Sequence, residues 1–303
     1  MADWGRMLRR ARRRLLFLAV NALVRSVGFR GVRRLAAILG DMQYRFGGRT
    51  RQRCLHDLAA LQQRPADDPA VARQLRESYR NYTAATLQVV AMCQRKLDLK
   101  ILQSACRIDG LDELQRALDA GKGAILLATH AGNNLIVAAL LASMGWPILV
   151  VYRQALMMSD DFFDAGLPRY GLEGLSANAG AKAYLRMRRA IKDNRIVFVM
   201  IDQGVKFPQD GVVMRFLGKD MPMPPGPAQL ARVSGAPVLP LATVAAQPIW
   251  HFEIEPAVVF APDSTVEQDL AELLRITERQ LLAHPQLWSW PHRRWRKFPL
   301  AAQ

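Results

Sequence analysis

Three polar groups in this chain each follow a buried-looking apolar run. His130 follows Ala124-Ile125-Leu126-Leu127-Ala128-Thr129, Arg153 closes Val150-Val151-Tyr152, and Asp202-Gln203 follow Val197-Phe198-Val199-Met200-Ile201. Short apolar runs bounded by turn residues read as interior strands. The carboxyl ends of such strands line the ligand crevice of an open α/β sheet. An imidazole there can act as a general base. A guanidinium such as Arg153 grips an acidic or phosphate-bearing group through its planar fork. Taken singly, His130 also fits a capping histidine, and Arg153 or Asp202 a solvated strand end. Gly132-Asn133-Asn134, followed by apolar residues 135–141, reads as a helix start, which puts Asn134, and less directly Asn133, near the imidazole.

Other features add binding groups rather than catalytic ones. Residues 211–219, which include Arg215, read as a strand and tight turn. Pro224-Pro225-Gly226-Pro227-Ala228 opens a helix with proline in its first turn. Free N–H groups at Gly226 suit an anion or a carbonyl oxygen, although an ordinary proline-opened helix has the same sequence. Common enzyme motifs are missing. Gly174-Leu175-Ser176-Ala177-Asn178 fails the last position of a serine elbow, and no phosphate-cradling lysine loop occurs. Gly121-Lys122-Gly123 precedes a strand and so is a turn. The histidines at 56, 130, 251, 284 and 292 have no metal spacing, so no metal is expected. Cys54, Cys93 and Cys106 form no paired motif, which indicates a reducing compartment.

The surrounding pattern predicts how these groups are held. Residues 4–28, 31–46 and 49–62 read as helices punctuated by Gly28, Gly31, Gly47 and Gly48, and residues 70–103 as one long helix. From about residue 107 the rhythm changes. Strands are predicted around Ile108 and at 125–129, 148–152, 196–201, 238–244 and 252–254, with helices at 111–120 and 264–283. The expected fold is α/β: a mixed, largely parallel sheet flanked by helices, behind a helical, membrane-associated N-terminal region. Three parts are expected: a basic amphipathic helix at 1–28, a helical region at 29–105 and an α/β domain at 106–303.

Charge is segregated. Residues 1–53 carry 14 Lys and Arg against two acids, residues 54–290 carry 24 of each, and residues 291–303 carry four basic residues and no acid. A nucleic-acid binder more often spreads basic charge over its binding domain, so no nucleic acid is expected. Arg6, Arg9, Arg10 and Arg12 to Arg14 beside Leu15-Leu16-Phe17-Leu18 suit an anionic membrane surface. That apolar run is too short for a confident span, and no convincing cleavage site follows it. The expectation is a retained interfacial helix or shallow anchor. Trp288, Trp290 and Trp295 beside Arg293, Arg294 and Arg296 suit either an interface belt or a core with solvated arginines.

Together these segments resemble the bacterial lipid A biosynthesis acyltransferases, the late lauroyl/myristoyl enzymes of the lysophospholipid acyltransferase-like superfamily. Thr129-His130-Ala131-Gly132-Asn133 matches the histidine motif, Tyr152-Arg153 the second block and Asp202-Gln203 with Phe216-Leu217-Gly218 and Gly226-Pro227-Ala228 the third. Gly235-Ala236-Pro237-Val238-Leu239-Pro240 matches the fourth, and Pro285-x-x-Trp288-x-Trp290-x-His292-Arg293-Arg294-Trp295 the closing signature. The resemblance implies transfer of an acyl group from an acyl carrier protein, or from acyl-CoA, to a hydroxyl or amine of a lipid or glycolipid. His130 would be the general base, and no cofactor beyond the thioester co-substrate would be needed. Arg153, Asn133, Gln203, Arg215 and Gly226 form the expected substrate-binding set. The implied setting is the cytoplasmic face of a Gram-negative inner membrane.

One position departs from that family. Its motif, His-x4-Asp/Glu, places a carboxylate at position 135, where this chain has Leu135. Such an acid holds the imidazole tautomer and stabilises the imidazolium. Asn134, or a carboxylate from elsewhere with Asp202 the first candidate, must take its place. Failing that, the chain is a weak or inactive member that binds lipid or acyl carrier protein in a lipid or polyene pathway.

Overall fold

The structure, a computed structural model, describes residues 2–153, 160–205, 207–292, 295 and 297–300, with side chains from Leu15 onward apart from those of residues 16, 160 and 161. The basic clusters at Arg6, Arg9, Arg10, Arg12 to Arg14 and at Arg293, Arg294 and Arg296 lie outside the described side chains.

Four helices lead into the sheet: α1 (Ala2–Arg45), α2 (Gly48–Leu61), α3 (Pro69–Gln94) and α4 (Leu99–Gln103). The two N-terminal helices expected from sequence are one helical run broken by a kink at Gly28, whose φ of 66° favours glycine. The second half of α1 packs along α3. It comes close because Gly40 has no side chain; a Cβ there would stand 2.7 Å from the Arg80 Cα. The long helix expected over 70–103 is divided. Arg95 is extended, and Asp98 accepts the Lys100 N–H to cap a new, short helix.

Strands β1 (Cys106–Asp109), β2 (Ala124–Ala128), β3 (Ile148–Tyr152), β4 (Glu173–Ser176), β5 (Ile196–Met200), β8 (Val238–Ala245) and β9 (Trp250–Ile254) form one sheet in the order β1-β9-β8-β2-β5-β3-β4. The strands from β8 to β4 are mutually parallel, and β9 turns back antiparallel onto β8. Strand β4 was not foreseen, since Glu173-Gly174-Leu175-Ser176 has neither an apolar run nor clear alternation. Between β5 and β8 the chain makes a separate hairpin, β6 (Val212–Phe216) with β7 (Lys219–Met223).

Right-handed crossovers sort the helices. The link from β2 to β3 through α6 (Asn134–Ser143) moves one way across the sheet. The links through α8 (Ala181–Lys192) and α9 (Gly226–Ser234) return on the opposite face, where α9 packs on α8 and on α10 (Val266–Ala283). The connections leaving the adjacent strands β2 and β5 therefore diverge, which opens a crevice at their carboxyl ends.

A buried ion pair ties the N-terminal helices to this body. Lys219 on β7 donates to Asp57 Oδ2 on α2 at 2.6 Å and to the Phe298 carbonyl at 2.9 Å. Its ammonium lies 3.7 Å from the centre of the Trp295 ring. Trp288, Trp290 and Trp295 are at most 1% exposed and stack edge to face, so they are core residues rather than an interface belt. Asp57→Ala strands a buried cation and should cost about 3–5 kcal/mol in urea unfolding. The paired change Asp57→Leu with Lys219→Met should recover most of that loss.

Candidate active site

Strand register builds the central contact. In the parallel ladder of β2 and β5, Ala124 faces Ile196 and Ala128 faces Met200. Continued by two residues, the same register sets His130 opposite Asp202. The imidazole Nδ1 lies 2.8 Å from Asp202 Oδ1, and the backbone N–H of His130 donates to Oδ2, also at 2.8 Å. Trp288 Nε1 donates to the same Oδ2 at 2.6 Å. Asp202 is 0% exposed, so these donors replace its water. Burial pushes its carboxyl up. The charge of His130 and the hydrogen bonds from His130 and Trp288 outweigh burial and hold it below the ordinary carboxylate value.

This geometry assigns the imidazole tautomer. An ionised carboxylate only accepts, so Nδ1 carries the proton that faces it and Nε2 keeps its lone pair. The side chain is 36% exposed, and Nε2 is the ring nitrogen that Asp202 does not take. An Nε2 with a free lone pair, braced behind by a carboxylate, can remove a proton from a bound hydroxyl or amine.

Local packing fixes the histidine loop. Gly132 has φ +71°, and a Cβ there would press within 3.1 Å of Thr243 Cγ2 and the Phe252 ring. Thr243 Oγ1 donates to the Ala131 carbonyl at 2.8 Å. Asn133 is the N-cap of α6, accepting the Leu135 N–H, and its amide faces Gln88 and Met92. At 1% exposure it forms part of the loop's support. Asn134 does not reach the imidazole either. Its amide donates to the carbonyls of Thr129 at 2.6 Å and Ala131 at 3.3 Å, so it closes the turn that carries His130. The orienting contact expected of Asn134 is made by Asp202. Leu135 packs into the apolar core at the start of α6.

The remaining expected groups divide. Gln203 follows Asp202, and its Nε2 is buried with no hydrogen-bond partner among the described residues. Arg153 stands exposed at the carboxyl end of β3, two strands from β2. Because α9 packs on β2 and leads into β8, Gly226 at its start lies at the same sheet edge as His130. Arg215 is not brought to the site. Strand alternation turns Phe216 toward Trp288 and Arg215 the other way, where it faces Asp220 at 3.7 Å. Two residues at the centre had no role predicted for them, Trp288 and His292. The His292 ring lies beside that of His130, with centroids 5.9 Å apart. A buried indole N–H needs an acceptor, and that was the available signal for Trp288.

Comparison with known proteins agrees with this architecture. The sequence model of the family described as bacterial lipid A biosynthesis acyltransferase matches residues 5–297. The chain belongs to this family. It is therefore an acyltransferase of lipids or glycolipids. Similar proteins include the phosphatidylinositol mannoside acyltransferase of two strains of Mycobacterium tuberculosis. Each is 28% identical over 233 residues, covering 75% of this chain and 71% of the relative. The enzyme of the same name from Mycolicibacterium smegmatis is 27% identical over 188 residues, 58% of this chain and 57% of the relative.

Asp202 has a lower pKa folded than unfolded, so its bonds contribute stability above the ordinary carboxylate value of about 4. That contribution is lost as pH falls through the folded value. The stability gap between the parent and Asp202→Asn, followed by denaturant unfolding, should therefore narrow from about pH 5 downward.

Proposed function

We propose that the protein transfers a fatty acyl chain from a thioester, on an acyl carrier protein or coenzyme A, to a hydroxyl or amine of a membrane lipid or glycolipid. The contact between His130 Nδ1 and Asp202 Oδ1 at 2.8 Å carries this reading. His130 Nε2 removes the acceptor proton as the acceptor oxygen or nitrogen bonds to the thioester carbonyl carbon. The carbon–sulfur bond then breaks, and the imidazolium returns its proton to the departing sulfur. Asp202 keeps its charge throughout and stabilises the imidazolium. N–H groups at the start of α9 and the Arg153 guanidinium share the sheet edge where an oxyanion or an acidic group needs them. The mannoside lipid in the relatives' names makes a glycolipid the first acceptor to test; a lipid A precursor is the second.

The Asp202 contact supports turnover over the binding-only reading, because it provides the carboxylate that position 135 lacks. On the surface of α1, Leu15, Leu18, Leu23, Val27, Ile38 and Met42 are exposed, as is Phe46 in the turn that follows it. Arg25, Arg30, Arg34 and Arg45 are exposed on the same helix. That mixture favours the anionic face of a membrane, in keeping with a cytoplasmic-face location. Among the described residues no helix is long and apolar enough to cross a membrane, so attachment at the surface is the proposed mode.

Purified protein given acyl thioester and glycolipid should release free thiol and acylated lipid. His130→Ala should slow this by about 10²–10⁴-fold; an unchanged rate would remove His130 as the base. Leu135→Glu should bring no gain, since Asp202 already holds the imidazole Nδ1. Leu15→Asp with Leu18→Asp should weaken co-sedimentation with phosphatidylglycerol vesicles, and equal binding would discard α1 as the contact.

A further inference from the structure

The closing tryptophan segment enters the site, and the reaction as drawn leaves it without a task. Three anchors place Trp288. Its backbone bridges to Ala131, the residue after His130. Ser78 on α3 donates to its carbonyl. Asn81, also on α3, holds the carbonyl of Gln286 at 3.0 Å. The indole ring is wedged edge to face among Phe216, Trp290 and Trp295. Its N–H is thereby aimed at Asp202 Oδ2, 2.6 Å away. Four residues on, the His292 ring lies at 27° to that of His130.

We propose that Trp288 is a positioning residue for acyl transfer, holding the Asp202 carboxylate in the orientation that presents His130 Nε2 to the acceptor. His292 braces the imidazole from the side. The proposal rests on His130 being the base. Packing alone would call for an aromatic ring but not for an indole N–H pointed at the acid. A carboxylate that accepts a strong N–H bond is a weaker base. Loss of that donor raises the proton affinity of the His130–Asp202 pair and lets Oδ2 turn. Among the described residues, the titratable groups that the structure places against the pair are its own two members, on the loops after β2 and β5, and His292 on the C-terminal segment.

The test compares full-length Trp288→Phe with Trp290→Phe. Trp290 belongs to the same aromatic cluster, but its N–H serves the Pro285 carbonyl at 2.7 Å. Ring nitrogens of 15N-histidine-labelled protein are titrated by NMR, and kcat and KM are measured separately. Trp288→Phe should raise the acidic midpoint of the pair by about half a unit to one unit. It should lower kcat by about ten- to a hundredfold with little change in KM. Trp290→Phe should leave the midpoint in place. An unmoved midpoint in Trp288→Phe, or an equal move in Trp290→Phe, overturns the proposal. Should Trp288→Phe fail to fold, the parent decides the matter. Its Trp288 indole proton should resonate at low field, shift as the pair is titrated with acid, and lose both features in Asp202→Asn. An indole proton blind to that titration overturns the proposal. These titrations need no substrate, so a chain that shows the shifts yet transfers no acyl group keeps the positioning role and loses the acyltransfer reading.

Discussion

A fully buried carboxylate at the carboxyl edge of a parallel sheet is the constraint around which this protein is arranged. An unpaired carboxylate in that position would be driven to protonate. Asp202 keeps its charge because three donors from distant parts of the chain converge on it: the imidazole and the backbone N–H of His130, and the indole of Trp288. Meeting that demand aligns two strands, fixes a histidine tautomer and draws a C-terminal loop into the core. The same bonds that satisfy the acid leave Nε2 as the basic nitrogen.

The pairing also shows how one chemical role can move between elements. The His-x4-Asp/Glu motif that this sequence resembles would put an acid at position 135, on the helix that follows the histidine. Here the helix position holds Leu135, packed in apolar surroundings, and the carboxylate comes from the loop that follows the neighbouring strand β5. Asp202 brings an oxygen to Nδ1. An acid two residues beyond a strand end is set by the register of that strand rather than by a side chain's reach from a helix end.

Much of this was legible in the residues. Apolar runs ending at residues 129, 152 and 201 marked the parallel strands and the crevice, because both-face burial leaves an unbroken hydrophobic signature. Asp202 could be named as an alternative acid, but its pairing could not. The period of a strand says nothing about which strand lies beside it. Asn134 was misplaced because a side chain next to a histidine in sequence can point back into the turn, as this one does toward the Thr129 carbonyl. The facing of Arg215, away from Trp288 and toward Asp220, turned on a one-residue question of strand alternation. The tryptophans carried two readings, since a buried and an interfacial indole share the same neighbours in sequence. Only the acceptor that the N–H finds distinguishes them.

The position of Trp288 late in the chain has a consequence for biosynthesis. His130 and Asp202 leave the ribosome well before the segment that bridges to Ala131 and covers the acid. Until that segment arrives, the carboxylate must stay hydrated, and the crevice edge of β2 and β5 has no finished interior. Closing the core and finishing the catalytic centre are then one event. A nascent chain on the ribosome would carry the histidine motif without its working geometry and would acquire competence only when its last strand-side partner folds into place.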